Sequence, residues 1–232
     1  MIRTDIVQID QAVIDRLPEI EIGVAVIRDV RVARRNRELD ALGSIVVQAV
    51  REQFRGQALA ALPRIQAYRR IYRRFGADPG SRRPSAEALL RRALDLSKAF
   101  PSINTVVDAY NLSSIERQVP AAAYDFDRLA GPLVLRFAET GDTFRGIGQE
   151  SAEAVPAGEL VYADREQVIC RAWNYRDADD TKVTTDTTNL LVVVDGCDEV
   201  GRDDLTAALA ALCERIVAFN GGCVQSQVVL PA

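Results

Sequence analysis

The sequence predicts an α+β fold, a single domain whose mixed or antiparallel central sheet is flanked by helices. Three observations carry this reading. Residues 36 to 117 hold successive apolar stripes at helical spacing, short apolar strands follow Pro120, and one more amphipathic helix precedes a last strand.

The elements follow in order. Ile20, Ile22, Val24 and Val26 alternate with Glu21, Gly23 and Ala25, the period of a half-buried strand. Leu39, Leu42, Ile45, Val46, Ala49 and Val50 give residues 36–54 a helical stripe that stops at Gly56. Over 63–75, Ile65, Tyr68, Ile71, Tyr72 and Phe75 share a face and leave Arg69, Arg70, Arg73 and Arg74 on the others. Ser85 is placed to cap a helix over 86–98. Pro101 breaks that helix, and 103–117 forms the next. Strands are expected over 133–138, 159–163, 168–173 and 190–194, and a helix over 204–219 that stops at Asn220-Gly221-Gly222. Residues 224–230 read as the closing strand. Residues 1–59 are expected to form a strand-helix extension packed on a main domain of residues 60–232.

Composition narrows the chemistry. The chain has 232 residues, 48% of them apolar, a formal charge of -4 and no histidine. Without imidazole, Ser-His-Asp and Cys-His catalysis and His-based zinc sites are excluded. Cys170, Cys197, Cys213 and Cys223 form no C-x-x-C pair and read as buried free thiols. No G-x-G-x-x-G follows a strand and no P-loop occurs, so neither a metal nor a cofactor is expected. No apolar run approaches the ~18 residues of a membrane span. The first seventeen residues lack a signal-peptide core, so a cytoplasmic protein, a monomer off the membrane, is the expectation.

Charge is unevenly placed. Between Arg51 and Arg92 stand eleven arginines and three acids, a local +8 that leaves -12 elsewhere. This marks either a surface facing a polyanion or a solvated helix face in a chain whose default cation is arginine. Three polar clusters also stand out. Asn104, Asp108 and Asn111 fall at i, i+4 and i+7 on one helical face, where they either point into a pocket or cap neighbouring elements. Tyr124-Asp125-Phe126-Asp127 enters the strand region. Trp173-Asn174-Tyr175-Arg176-Asp177 opens a polar loop that runs to Asp186, Thr187, Thr188 and Asn189 between two core strands, a common place for a site and equally for turn chemistry.

Taken together these runs resemble the B3/B4 domain family, the domain that edits mischarged tRNA in the phenylalanyl-tRNA synthetase beta subunit. The matching residues are Arg83-Pro84-Ser85-Ala86-Glu87-Ala88-Leu89, Pro101-Ser102-Ile103-Asn104, Val107-Asp108, Asn111, Pro120 and Tyr124-Asp125-Phe126-Asp127. They continue through Gly131, Arg136, Gly141-Asp142, Gly158-Glu159-Leu160-Val161-Tyr162, Arg171, Trp173-Asn174, Thr181-Lys182 and Thr187-Thr188-Asn189. The resemblance covers roughly residues 60 to 222 and implies a free-standing editing factor. Its activity would be hydrolysis of the ester between a wrong amino acid and its tRNA. Layout is similar to the branch that clears canavanine from arginine tRNA. Ala122 stands where the synthetase pocket has a histidine, and Val193 where it has a glutamate, so a non-catalytic tRNA- or amino-acid-binding module is the alternative.

Ester hydrolysis needs an oriented water and donors for the oxyanion, and the terminal ribose hydroxyl of tRNA can help position that water. The resemblance draws the site from Asn104, Asp108, Asn111, Tyr124, Asp125, Trp173, Asn174, Arg176, Asp177, Asp186, Thr187 and Thr188. Within it, Asp125, Asp177 or Asp186 would hold a cationic substrate group, and Trp173 would stack on it. Backbone N–H groups near Gly131 or Gly158, or the hydroxyls of Thr187 and Thr188, would be the oxyanion donors. Arg69, Arg70, Arg73, Arg74, Arg82 and Arg83 would contact tRNA phosphates.

Overall fold

The computed structural model describes residues 6–231. In chain order its elements are β1 (Val7–Ile9), α1 (Gln11–Arg16), β2 (Glu21–Arg28), α2 (Arg37–Gln53), α3 (Pro63–Arg74), α4 (Ser85–Leu94), α5 (Thr105–Arg117) and β3 (Ala121–Asp125). Then come β4 (Leu133–Phe137), β5 (Thr143–Phe144), β6 (Glu153–Ala154), β7 (Leu160–Ala163), β8 (Val168–Arg171), β9 (Arg176–Asp177), β10 (Leu190–Gly196), α6 (Arg202–Asn220) and β11 (Cys223–Pro231). Strands and helices mix as the α+β reading expects.

Two main sheets face each other across the site. One runs β1-β4-β7-β8-β9, with β1 parallel to β4 and the remaining pairs antiparallel. The other runs β11-β2-β10-β3 and is antiparallel throughout. Residues of the expected extension therefore contribute β2, which lies between β10 and β11. Its six central residues are all buried, so it is covered on both faces rather than half-buried. The positions that alternate with its isoleucines and valines are Gly23 and Ala25, small rather than polar. An added Cβ on Gly23 would stand 3.5 Å from Leu209 of α6, which packs on that face.

Local chemistry sets the boundaries. Asn36 caps α2 by accepting the N–H groups of Glu38 and Leu39, and Pro63 opens α3. The helix at 85–94 begins on Ser85 itself, with Pro84 before it and no side-chain cap. It also ends sooner than its spacing predicts, because the Asp95 carboxylate takes the N–H and hydroxyl of Ser97 and closes a turn there. Strand β8 stops at Arg171, two residues early, because Ala172 and Trp173 adopt left-handed φ values of 46° and 65°. The stop signal after α6 does a second job: Gly222 has φ 85°, and a Cβ there would lie 2.4 Å from the carbonyl oxygen of Arg28 in β2.

Helix α3 turns its apolar stripe inward as expected, burying Ile65, Tyr68, Ile71 and Tyr72 in the two cores. A second helical core gathers Leu39, Val46, Val50, Leu90, Leu112 and Ile115 beneath α2, α4 and α5. Between these helices lies a fully buried carboxylate, Glu87. Arg69 clasps it with two hydrogen bonds of 2.6 and 2.7 Å, and Arg91 adds a third at 2.8 Å. Arg69→Ala would leave this buried charge to Arg91 alone, so unfolding in urea is expected to show a loss of about 3 kcal/mol. An unchanged midpoint would mean that the pair contributes nothing to stability.

Candidate functional site

A cleft of about 240 Å³ opens between the two sheets, closed at one side by α4 and α5. Its floor is built from buried side chains: Tyr124 of β3, Tyr162 of β7, Cys170 of β8, Trp173, and Val193 and Asp195 of β10. Asn174, Asp177, Tyr110 and Asn111 form its walls, and Ser85, Ala88, Leu89 and Tyr175 stand at its mouth. Strand periodicity selects these residues. Val193 and Asp195 alternate with Val194, which faces α6 beside Gly23, and Ala122 and Tyr124 alternate with Asp125.

Asp195 organises the floor. It is 3% exposed in an otherwise apolar strand, and among the described residues no cation pairs with it. Its carboxylate accepts hydrogen bonds from the Tyr162 hydroxyl and, at 3.0 Å, from the Asn174 amide. Asn174 is fixed in turn by the Tyr72 hydroxyl at 2.8 Å, and the Tyr68 hydroxyl donates to the Asp195 carbonyl at 2.8 Å. Two tyrosines of the α3 stripe thus hold the site from behind. The Trp173 indole N–H turns toward the same carboxylate but meets no partner at hydrogen-bond geometry among the described residues.

Burial pushes the Asp195 carboxyl up to about 7; the bonds from Tyr162 and Asn174 oppose the rise and the neighbouring Asp177 adds to it. Asp177 is also raised, by burial, against the hydrogen bond it accepts from Tyr124 at 3.2 Å. Burial likewise raises the Cys170 thiol, which is therefore an inert wall and no nucleophile. Among the described residues the cleft is lined by two carboxylates and no basic side chain. Such a site is short of a cation. Among the described residues no three His, Cys, Asp or Glu side chains converge on a metal site.

Of the residues expected at a site, Asn111, Tyr124, Trp173, Asn174 and Asp177 line this cleft. Asn104 does not: its side chain caps α5 by accepting from Val106 and Val107 and donates to the carbonyl of Val183. Asp108 accepts from Ser102 and from the Ile103 N–H and borders a separate hollow of about 400 Å³ beneath α2. That larger hollow is lined by charges already partnered, Arg35 with Asp40 and Arg51 with the Ala93 carbonyl.

Asp125 points to the opposite face of β3 from Tyr124 and binds the Thr187 hydroxyl at 2.6 Å. Thr184 and Thr187 close a turn around Asp186, which is exposed, as is Thr188. Arg176 turns away toward the Ile147 carbonyl. Gly131, Gly158, Thr187 and Thr188 stand outside the cleft lining, and the Gly158 N–H is taken by Ala138. Trp173 has no accessible ring face, since it is fully buried against Tyr68 and Tyr72 at 5.7 and 6.3 Å between centroids.

Four of the six arginines expected on phosphate are paired inside the molecule. Arg69 binds Glu87, Arg70 binds Asp198, Arg74 binds Glu19, and Arg82 binds Glu159. Among the described residues only Arg73 and Arg83 of that set lack a carboxylate.

Sequence reasoning missed Asp195. Its signal was a lone carboxylate directly after Leu190-Leu191-Val192-Val193-Val194, a run fit for a sheet interior. Ala122 and Val193, the two apolar replacements, prove to be directly opposed cross-strand partners in the β3–β10 pairing, side by side in the cleft wall.

An α+β domain with an acidic cleft between two sheets is the class these features define. The family model described as the B3/4 domain matches residues 67–216, and the chain belongs to that family. No curated protein matches the chain. Among solved structures, the chain is similar to an N-terminal fragment of the phenylalanyl-tRNA synthetase beta-subunit from Pyrococcus horikoshii, at 17% identity and a TM-score of 0.48. That match covers 97% of this chain and 54% of the other, so the chain spans about half its length. Among the described residues no helix is long and apolar enough to cross a membrane.

The Asp195 pKa has a consequence for stability. The folded carboxyl holds its proton more tightly than an unfolded one, whose pKa is about 3.9. Its favourable contribution is therefore present below pH 4 and is lost as pH rises toward 7. Asp195→Asn removes this dependence. Between pH 4 and pH 8, the variant's unfolding free energy should gain on the parent's by roughly 3 kcal/mol. Parallel stability–pH curves for the two proteins would show that Asp195 ionises normally.

Proposed function

We propose that the chain is an aminoacyl-tRNA deacylase that acts in trans, hydrolysing the ester of a wrongly attached cationic amino acid, canavanine on arginine tRNA. The observation that carries this reading is the pairing of Asp177 with Asp195 in a cleft without a cation. Two uncompensated carboxylates at different depths suit a ligand with two positive groups: the α-ammonium on Asp177, and a guanidino-oxy side chain reaching Asp195 on the floor. Entry of that cation supplies the missing counter-charge and draws both carboxyls toward their ionised forms. A volume of about 240 Å³ suits an amino-acid side chain and lies below the range that holds larger ligands. Membership of the B3/4 family supports the reaction class, since that resemblance ties the domain to clearing mischarged tRNA.

Chemistry without imidazole rests on orientation. The hydroxyl of Tyr110 and the amide of Asn111 line the cleft and have no hydrogen-bond partner among the described residues. Burial raises the Tyr110 hydroxyl, so it stays protonated and able to donate. These two groups are the donors available to the developing oxyanion. The attacking water is positioned by the ribose hydroxyl of the tRNA's own terminus; as it adds to the ester carbonyl, its proton passes through that hydroxyl to the departing ribose oxygen, a good enough leaving group for this to suffice.

A second reading, a binding module that retains the ligand uncleaved, is favoured by the Ala122–Val193 pair, which makes apolar a wall where the synthetase pocket carries a base and an acid. One experiment separates the two. Canavanyl-, arginyl- and tyrosyl-tRNA are incubated with the protein and the released amino acid is measured. The proposal expects canavanine release at a rate that Asp177→Asn lowers on the order of a hundredfold. Retention of every charged tRNA without ester cleavage would favour the binding module.

A further inference from the structure

The mouth of the cleft carries an aromatic ring that the hydrolytic chemistry leaves unused. Tyr175 is 42% exposed, whereas Tyr124, Tyr162 and Trp173 below it are at most 2% exposed. The backbone beneath the ring is firmly held. The Tyr175 N–H donates to the Arg171 carbonyl at 3.1 Å, which closes the turn that holds the two left-handed residues Ala172 and Trp173. Glu159 fixes that turn by accepting from the Ala172 N–H at 3.0 Å and from the Arg171 guanidinium at 2.9 and 3.0 Å. Two consecutive non-glycine residues in this conformation are costly, and such strain persists only where the surroundings over-determine it. Here it aims one exposed ring at the entrance.

We propose that Tyr175 is a stacking platform for the terminal adenine of the aminoacyl-tRNA, with Leu89 on the opposite lip and Arg83 near the adjoining phosphate. The inference rests on the deacylase reading and adds the subsite for the nucleoside. Tyr175 ends the turn that leads into β9, and both it and Asp177 line the cleft, while Arg176 between them turns to the Ile147 carbonyl. Two residues along the chain are separated by at most about 7 Å. An ester anchored by its ammonium on Asp177 therefore places its ribose and base outside the cleft, beside Tyr175. An exposed aromatic face binds any planar base by stacking. Arg83, two residues before Ser85 along the chain, is half-buried with no carboxylate partner among the described residues, and its buried Nε has no hydrogen-bond partner.

The test compares Tyr175→Ala and Tyr175→Phe with the parent in two assays. In deacylation of canavanyl-tRNA, Tyr175→Ala should lower kcat/KM by roughly ten- to a hundredfold, while Tyr175→Phe, which keeps the ring, stays close to the parent. Hydrolysis of the ribose ester of the same amino acid, which keeps the neighbouring hydroxyl but has no base, should be unchanged in both variants. Equal losses on tRNA and ribose ester, or no loss on either, would overturn the stacking role. The second assay is calorimetric titration with adenosine 5′-monophosphate, which should bind the parent and Tyr175→Phe but not Tyr175→Ala. A parent that cleaves no ester but binds this nucleotide through Tyr175 would keep the subsite and remove the deacylase reading. Absence of nucleotide binding to the parent overturns the subsite itself.

Discussion

A carboxylate inside a sheet, with no cation beside it, constrains everything around it. Asp195 is held by donors from three separate parts of the chain: Tyr162 from β7, Asn174 from the left-handed turn, and Tyr68 of α3 through the carbonyl of the same residue. Neutral hydrogen bonds stabilise a buried carboxylate less than a guanidinium would, which is why its pKa stays high. The fold has arginines in reach of other carboxylates but none at this one. That contrast, a full set of partners for Glu87 and Glu159 against an acid-only cleft, is what separates the structural carboxylates from the site.

The same contrast explains the basic window. Counted along the sequence, residues 51–92 look like a cationic face. In the folded molecule the acids that neutralise Arg70, Arg74 and Arg82 come from residues 198, 19 and 159, far outside the window. A local charge count cannot see partners so distant in sequence. Helix α3 makes the point most directly, since its apolar stripe was legible and indeed faces inward, while Arg69, Arg70 and Arg74 on its other faces are tied to neighbouring elements.

Periodicity made most of the fold legible, because the stripes of α2, α3 and α5 and the apolar strands are local signals. The short elements were not, as β1, α1, β5 and β6 carry too few residues to show a period. At the cleft, the sequence pointed to Trp173, Asn174, Asp177, Tyr124 and Asn111, all of them in its lining. Other residues it pointed to lie outside the cleft lining: Asp125 lies next to Tyr124 but on the other face of β3, and Asn104 and Asp108 serve the start of α5. The difference between lining a cleft and capping a helix depends on which groups from elsewhere arrive, as Val183 does at Asn104. Asp195 escaped for the same reason, since its partners are tertiary.

The sheet that carries the cleft floor joins strands made far apart in time. Strand β2, near residue 25, lies between β10, near residue 193, and β11, near residue 227, and only β10 connects it to β3. Ribosomal synthesis proceeds at about 5–20 residues per second. On that scale β2 waits on the order of ten seconds for its first neighbour. Until then its unbroken apolar run has no partner in the sheet, and Asn174 and Tyr162 have no carboxylate to bind. The helical core of α2, α4 and α5, whose contacts are closer in sequence, can assemble first. The acidic cleft is therefore a late product of folding, completed only after β10 emerges.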